Sequence, residues 1–155
     1  GAGNGYHTLK MARAVAPGGR AYAVDIQPEM LELLRERAKK ESVTNVETVL
    51  GDQTGTKLPS RACDLVLMAD VYHELSDPAA VLRDVRRALS ARGQLVLLEF
   101  RAEDPDVPIK EEHKMSRAQI EKELSANGYT VARSFDGLPW QHLMFFRASV
   151  ASPAK

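Results

Sequence analysis

Gly1-Ala2-Gly3-Asn4-Gly5 runs directly into a helical pattern, and the next apolar run, Ala21-Tyr22-Ala23-Val24, closes on Asp25. Residues 6–16 place Leu9, Ala12 and Val15, with Ala16, at helical spacing before Pro17-Gly18-Gly19 stops the helix. Residues 20–26 read as a short buried strand. A glycine turn, a helix and a strand that ends on a carboxylate begin an alternating α/β chain.

The alternation continues downstream. Pro28 suits the first turn of a helix, with Met30, Leu33, Leu34 and Ala38 on one apolar face up to about Lys40. Residues 46–50 form another short strand, ending at Gly51-Asp52. The continuous run Cys63-Asp64-Leu65-Val66-Leu67-Met68 predicts a strand covered on both faces. Asp77 and Pro78 supply an N-cap and a first helical residue. Val81, Leu82, Val85, Ala88 and Leu89 form the buried stripe of that helix, which Gly93 is expected to end. Residues 95–100 are the next strand. Ser116 and Gln119 make a capping-box pattern for a helix carrying Ile120 and Leu124, stopped at Asn127-Gly128. Residues 129–135 and 142–148 are two strands joined through Asp136-Gly137-Leu138-Pro139-Trp140. That connection has no room for a crossover helix, so one closing strand must run antiparallel. The expected fold is one α/β domain over residues 1–155, with a mostly parallel sheet and an antiparallel C-terminal strand.

Composition narrows the function. The 155 residues carry 21 Lys and Arg against 21 Asp and Glu. That balance offers no basic field for nucleic acid. Cys63 is the single cysteine, which reads as a small buried hydrophobe. No apolar stretch approaches the roughly 20 residues that span a bilayer, so no membrane partner is expected. The default location is cytoplasmic, although a removed signal peptide would leave no trace.

In open α/β sheets, ligands bind beyond the carboxyl ends of the strands. Gly1, Gly3 and Gly5, then Asp25, then Gly51-Asp52 all fall at such ends. Glycines let a ligand approach the backbone. A carboxylate at Asp25 can accept hydrogen bonds from both hydroxyls of a ribose, and Asp52 can accept an adenine amine. The step from the glycine loop to Asp25 suits a nucleotide-binding βαβ unit. The glycine spacing separates cofactors: a dinucleotide loop reads G-x-G-x-x-G, whereas here the third glycine comes one residue early and Tyr6 takes the sixth position.

Taken with Val24-Asp25-Ile26-Gln27-Pro28-Glu29-Met30-Leu31, Leu65-Val66-Leu67-Met68-Ala69-Asp70 and Leu89-Ser90-Ala91-Arg92-Gly93-Gln94-Leu95-Val96, these motifs resemble those of class I S-adenosylmethionine-dependent methyltransferases. The likeness covers nearly the whole chain and is nearest to the small bacterial group that includes ubiquinone-biosynthesis and arsenite enzymes. It implies a Rossmann-like sheet, S-adenosylmethionine as cofactor, S-adenosylhomocysteine as product and a small-molecule acceptor. It also implies roles. Gly1, Ala2, Gly3 and Gly5 pass the methionine end, Asp25 holds the ribose, and Ile26 beside it belongs to the cofactor site. Gly51 and Asp52 meet adenine, while Ala69, Asp70 and Tyr72 border the methionine and the transferred methyl.

Transfer from a sulfonium needs donor and acceptor held in line and water excluded; a base is needed only for a protonated acceptor. His73 and Tyr72 are the candidate catalytic residues. For His73 the alternative is a loop or capping role, and for Tyr72 a core aromatic. Glu74 reads as a solvated charge, and His113 as part of a surface loop or a lid. Trp140 and His142 read as packing residues. No two histidines have ligand spacing in sequence, so no metal is expected.

The family carries a strand ending near an acidic residue before its glycine loop, and this chain begins at the loop. The expectation is therefore a chain N-terminally truncated relative to the family and lacking the usual first strand. It is either a fragment of a longer protein, a sheet completed by another chain, or a rearranged sheet. A strand exchanged between two copies would give a homodimer. The alternative function is a non-catalytic binding protein on the same fold. An NAD-dependent oxidoreductase is the remote third, disfavoured by the glycine spacing and the lack of a substrate domain.

Overall fold

Each apolar run singled out above forms a helix or strand in the computed structural model, which describes residues 1–149. The chain divides into two compact units, Gly1–Leu58 and Pro59–Lys155.

The first unit is built from α1 (Tyr6–Val15), β1 (Ala21–Asp25), α2 (Pro28–Lys40) and β2 (Val46–Leu50). β1 and β2 pair in parallel from Ala21↔Val46 to Asp25↔Leu50, with α2 as the crossover. The Asn45 side chain ties this unit together by donating to the carbonyls of Ala12, at 2.8 Å, and Gly19, at 2.9 Å. The helix faces differ from the expected ones in two places. Val15 is exposed, because α1 ends there and Ala16 is already extended. In α2 the buried set is Leu31, Leu34 and Ala38, while Leu33 points outward. Positions 31, 34 and 38 follow one helical stripe, and residue 33 lies about 100° away from 34.

In the second unit, β3 (Cys63–Ala69), α3 (Pro78–Ala88), β4 (Leu89–Arg101), β5 (Lys114–Met115), α4 (Arg117–Ala126), β6 (Tyr129–Phe135) and β7 (Gln141–Ala148) follow in order. The sheet order is β3-β4-β7-β6, with β5 paired to the end of β4. β3 and β5 run parallel to β4, and β7 runs antiparallel to both β4 and β6. The fold is thus α/β with a mixed sheet of parallel and antiparallel strands. Leu82, Leu95, Leu97, Leu124 and Phe146 lie at the centre of its core, each fully buried. Burying a side chain of that size contributes about 1.5–3 kcal/mol.

Three expectations for this unit are corrected. Gly93 does not end α3: the helix stops at Ala88, Leu89 is extended, and β4 continues through Gly93. A Cβ at residue 93 would sit 2.8 Å from the Cys63 carbonyl oxygen, so the glycine serves a close strand contact. β3 is not covered on both faces: Asp64 and Leu65 are exposed, and among the described residues β3 pairs with β4 alone. Trp140 is exposed and does not pack, whereas His142 is buried against Glu103, with Nε2 2.8 Å from Oε2.

The capping signals hold. Asp77 accepts the Ala80 N–H at 2.9 Å, and Ser116 accepts that of Gln119 at 3.1 Å. The Gln119 side chain turns to Glu123 instead of reaching back, so the box is one-sided. Among the described residues no helix is long and apolar enough to cross a membrane.

Candidate functional site

Asp25 closes β1 with its carboxylate turned to the glycine loop. Oδ2 accepts the Gly3 N–H at 2.8 Å, and Oδ1 accepts the Gln27 N–H at 3.0 Å. The loop reaches this position through left-handed backbone at Gly3 and Gly5, with φ of 52° and 88°. At Gly5 a Cβ would also lie 2.8 Å from Leu34 Cγ, so the third glycine lets α1 begin directly on α2. The Ala2 N–H donates to the Val24 carbonyl at 2.8 Å, fastening the loop to the strand tip. Asp25 is 5% exposed, and its two oxygens retain lone pairs beyond the two backbone bonds. Ile26, next along the chain, is exposed.

The Gly51 N–H donates to the Asp25 carbonyl, which sets β2's exit beside β1's. Asp52 closes its own turn. Its Oδ1 accepts from the Thr54 N–H, the Thr54 hydroxyl and the Gly55 N–H, and Oδ2 pairs with Lys57 at 3.2 Å. Those bonds, led by the one from the Thr54 hydroxyl, hold its carboxyl down at about 2. A ligand amine at Asp52 would therefore share Oδ2 with Lys57.

The second unit carries a separate cluster at the carboxyl ends of β3 and β4. Ala69 closes β3, and Asp70 follows in left-handed conformation with φ 53° and its N–H bonded to the Leu98 carbonyl. Asp70 Oδ1 is buried and has no hydrogen-bond partner among the described residues. Burial, followed by the charge of Glu99, pushes its carboxyl up to about 6. A buried acceptor without a donor, on strained backbone, is the kind of feature that gathers at functional sites.

Residues 72–74 form a single 3₁₀ turn that holds His73. Its Nδ1 lies 2.7 Å from Oε2 of Glu99, a wholly buried side chain on β4. The other Glu99 oxygen accepts the N–H groups of Val71 and Tyr72, at 3.2 and 2.8 Å. One carboxylate thus positions both the turn and the imidazole. With Nδ1–H donated to Glu99, Nε2 keeps its lone pair and accepts from His113 Nδ1 at 3.0 Å. Tyr72 is buried and its hydroxyl donates to Glu123 at 2.9 Å, so its polar end is committed to α4. Burial, and then the Glu123 hydrogen bond, push its hydroxyl pKa well above the usual range. Glu74 is exposed as expected. Cys63 is buried, and burial pushes its thiol up.

The sequence-derived residues thus assemble as two clusters, one in each unit. Gly1 to Gly5, Asp25, Ile26, Gly51 and Asp52 share the strand tips of the first. Ala69, Asp70, Tyr72 and His73 share one corner of the second. Glu99 was overlooked, although a lone charge closing Leu95-Val96-Leu97-Leu98 was a legible signal. The placement of His113 beside His73, 40 residues away, had no local signal.

Residues 1–144 match the methyltransferase domain family, and the chain belongs to that family. It is 27% identical over 92 residues to a demethylmenaquinone methyltransferase of Geobacillus sp. (strain WCH70), covering 59% of this chain and 39% of the relative. It is 35% identical over 99 residues to an uncharacterized 37.1 kDa protein of transposon TN4556 from Streptomyces fradiae, covering 64% of this chain and 28% of that one. The chain therefore spans well under half the length of these curated relatives. A crystal structure of a SAM dependent methyltransferase from Aquifex aeolicus superposes with a TM-score of 0.88 at 25% identity, covering 94% of this chain and 78% of that one. The [4+2]-cyclase SpnF shares the fold as well, with a TM-score of 0.80 at 14% identity over 97% of this chain and 74% of its own. The fold alone does not dictate the reaction.

Proposed function

We propose that the protein transfers a methyl group from S-adenosylmethionine to a small-molecule acceptor. The observation that carries this reading is the Asp25 carboxylate joined to the glycine loop by the Gly3 N–H at 2.8 Å. That bond fixes a buried acceptor at the strand tip beside a backbone that a ligand can approach closely. Asp25 receives the ribose diol, Ile26 covers the adenosine, and Gly51 with Asp52 borders the adenine. Within the second unit, the unsatisfied Asp70 carboxylate beside Ala69 is an acceptor that a ligand ammonium group would satisfy.

Loss of positive charge from sulfur asks the protein mainly for alignment and exclusion of water. The cofactor supplies the electrophilic methyl. His73 is the acceptor-side group, held by Glu99 through Nδ1, and its Nε2 takes a proton only from acceptors that carry one and that displace His113 from it. Tyr72 acts through its packing. The demethylmenaquinone methyltransferases among the relatives support an acceptor of small-molecule class.

Titration calorimetry of the full chain with S-adenosylhomocysteine tests the donor half. Binding to one site is expected. Saturation at a hundredfold the Kd should stabilise the fold by about 2.7 kcal/mol. Absence of both heat and a thermal shift at millimolar ligand would overturn the assignment, and retention of NAD in its place would point to an oxidoreductase.

A further inference from the structure

Two short turns far apart in sequence bring three ligand-type side chains together within the second unit. His73 lies on the turn Tyr72–Glu74 and His113 on the turn Glu111–His113. Their rings meet edge to face at 78°, and His73 Nε2 lies 3.0 Å from His113 Nδ1. Oε1 of Glu74 is 3.9 Å from the same Nε2. One donor atom from each of the three residues falls within 4.8 Å of the others. Spacing along the chain argued against a metal, but the fold supplies the proximity that the spacing lacks.

Two nitrogens bound to one tetrahedral ion at about 2.0–2.1 Å would lie about 3.3 Å apart. The observed 3.0 Å is within a few tenths of that separation. Behind His73, the buried Glu99 carboxylate takes the Nδ1–H at 2.7 Å. This is the carboxylate–histidine arrangement that turns Nε2 outward as a ligand. His73 is almost fully enclosed, with a side chain 7% exposed, whereas that of Glu74 is 62% exposed and free to swing onto an ion.

We propose that His73 Nε2, His113 Nδ1 and the Glu74 carboxylate bind a divalent transition-metal ion of the zinc class, with a fourth position left open. Two neutral imidazoles and one carboxylate suit zinc or a neighbouring first-row ion better than magnesium or calcium. Binding of the ion does not require S-adenosylmethionine, although the site shares His73 with the methyl-transfer reading. A metal and a proton compete for the same lone pair of His73, so an occupied site removes that nitrogen as a base.

The test is calorimetry of the EDTA-stripped, dialysed full chain with zinc chloride, without donor or acceptor present. One ion per chain with a micromolar or lower Kd is expected. His113→Ala and Glu74→Ala alter exposed or half-buried turn residues and should each weaken binding by at least about tenfold. Glu99→Gln should weaken it by about 10–100-fold by loosening the ring of His73. His7→Ala, at an exposed histidine of the other unit, should bind as the parent does. Cobalt bound in place of zinc should give the intense visible bands of a four-coordinate site. Folding of each variant is checked by its melting curve. Equal affinity in the parent and His113→Ala, or no stoichiometric binding by the parent, would overturn the proposal. The second result would leave the two rings as a hydrogen-bonded pair.

Discussion

Asp25→Asn separates the two tasks that the structure gives one carboxylate. In the parent, Oδ2 holds Gly3 and Oδ1 holds Gln27, at 2.8 and 3.0 Å. Asparagine keeps one acceptor oxygen, so one of the two backbone donors loses its partner and the charge is lost. A hydrogen bond to a charged group contributes about 1.5–3 kcal/mol, and the donors here are part-buried and regain some water. The expected loss of stability is about 1–3 kcal/mol, measured by urea unfolding without ligand. Ligand binding should suffer separately. Two ribose hydroxyls would exchange a carboxylate for a neutral amide. A deficit of about 1.5–3 kcal/mol corresponds to a roughly 10- to 150-fold weaker Kd for S-adenosylhomocysteine. Calorimetry below the variant's unfolding temperature reads this term on folded protein alone. Parent-like affinity in a folded Asp25→Asn chain would refute the ribose assignment, even if the loss of stability were as expected. Weakened binding with unchanged stability would refute the claim that Asp25 holds the loop.

Two further outcomes follow from particular residues. Asp70 has its folded carboxyl pushed from 3.8 up to about 6, so between those values the native chain binds more protons than the unfolded one. Stability should therefore fall as pH rises from about 4 to about 6, and Asp70→Asn, which tolerates the left-handed backbone, should remove that part of the fall; identical pH slopes in urea unfolding of the two proteins would contradict it. Asp77→Ala deletes the cap on the Ala80 N–H and should cost about 1 kcal/mol in the same assay; unchanged stability would contradict the cap.

Much of the fold was legible because its signals are local. Proline and glycine at 17–19 stop α1, Asp77 and Ser116 cap their helices, and Asn127-Gly128 ends α4 with φ of 79° at Gly128. The misreadings share one cause. The neighbourhoods of Gly93, Leu33 and Leu65 point one way, and each is decided by what another segment brings to it. Gly93 answers to the Cys63 carbonyl, and Leu33 to the stripe that β1 and β2 leave for α2. β5 is two residues long, too short to show any period, and exists because the end of β4 offers it a ladder.

The resemblance to the family, the order of elements and the glycine loop followed by Asp25 were all readable along the chain, since they depend on spacing within a few turns. Only the packing of distant segments buries the Glu99 charge behind His73 and brings His113 to that ring from 40 residues away. Which side chains share a proton or an ion depends on distances of about 3 Å. No periodicity along the chain encodes such distances, because they are set by how strands and turns distant in sequence pack together.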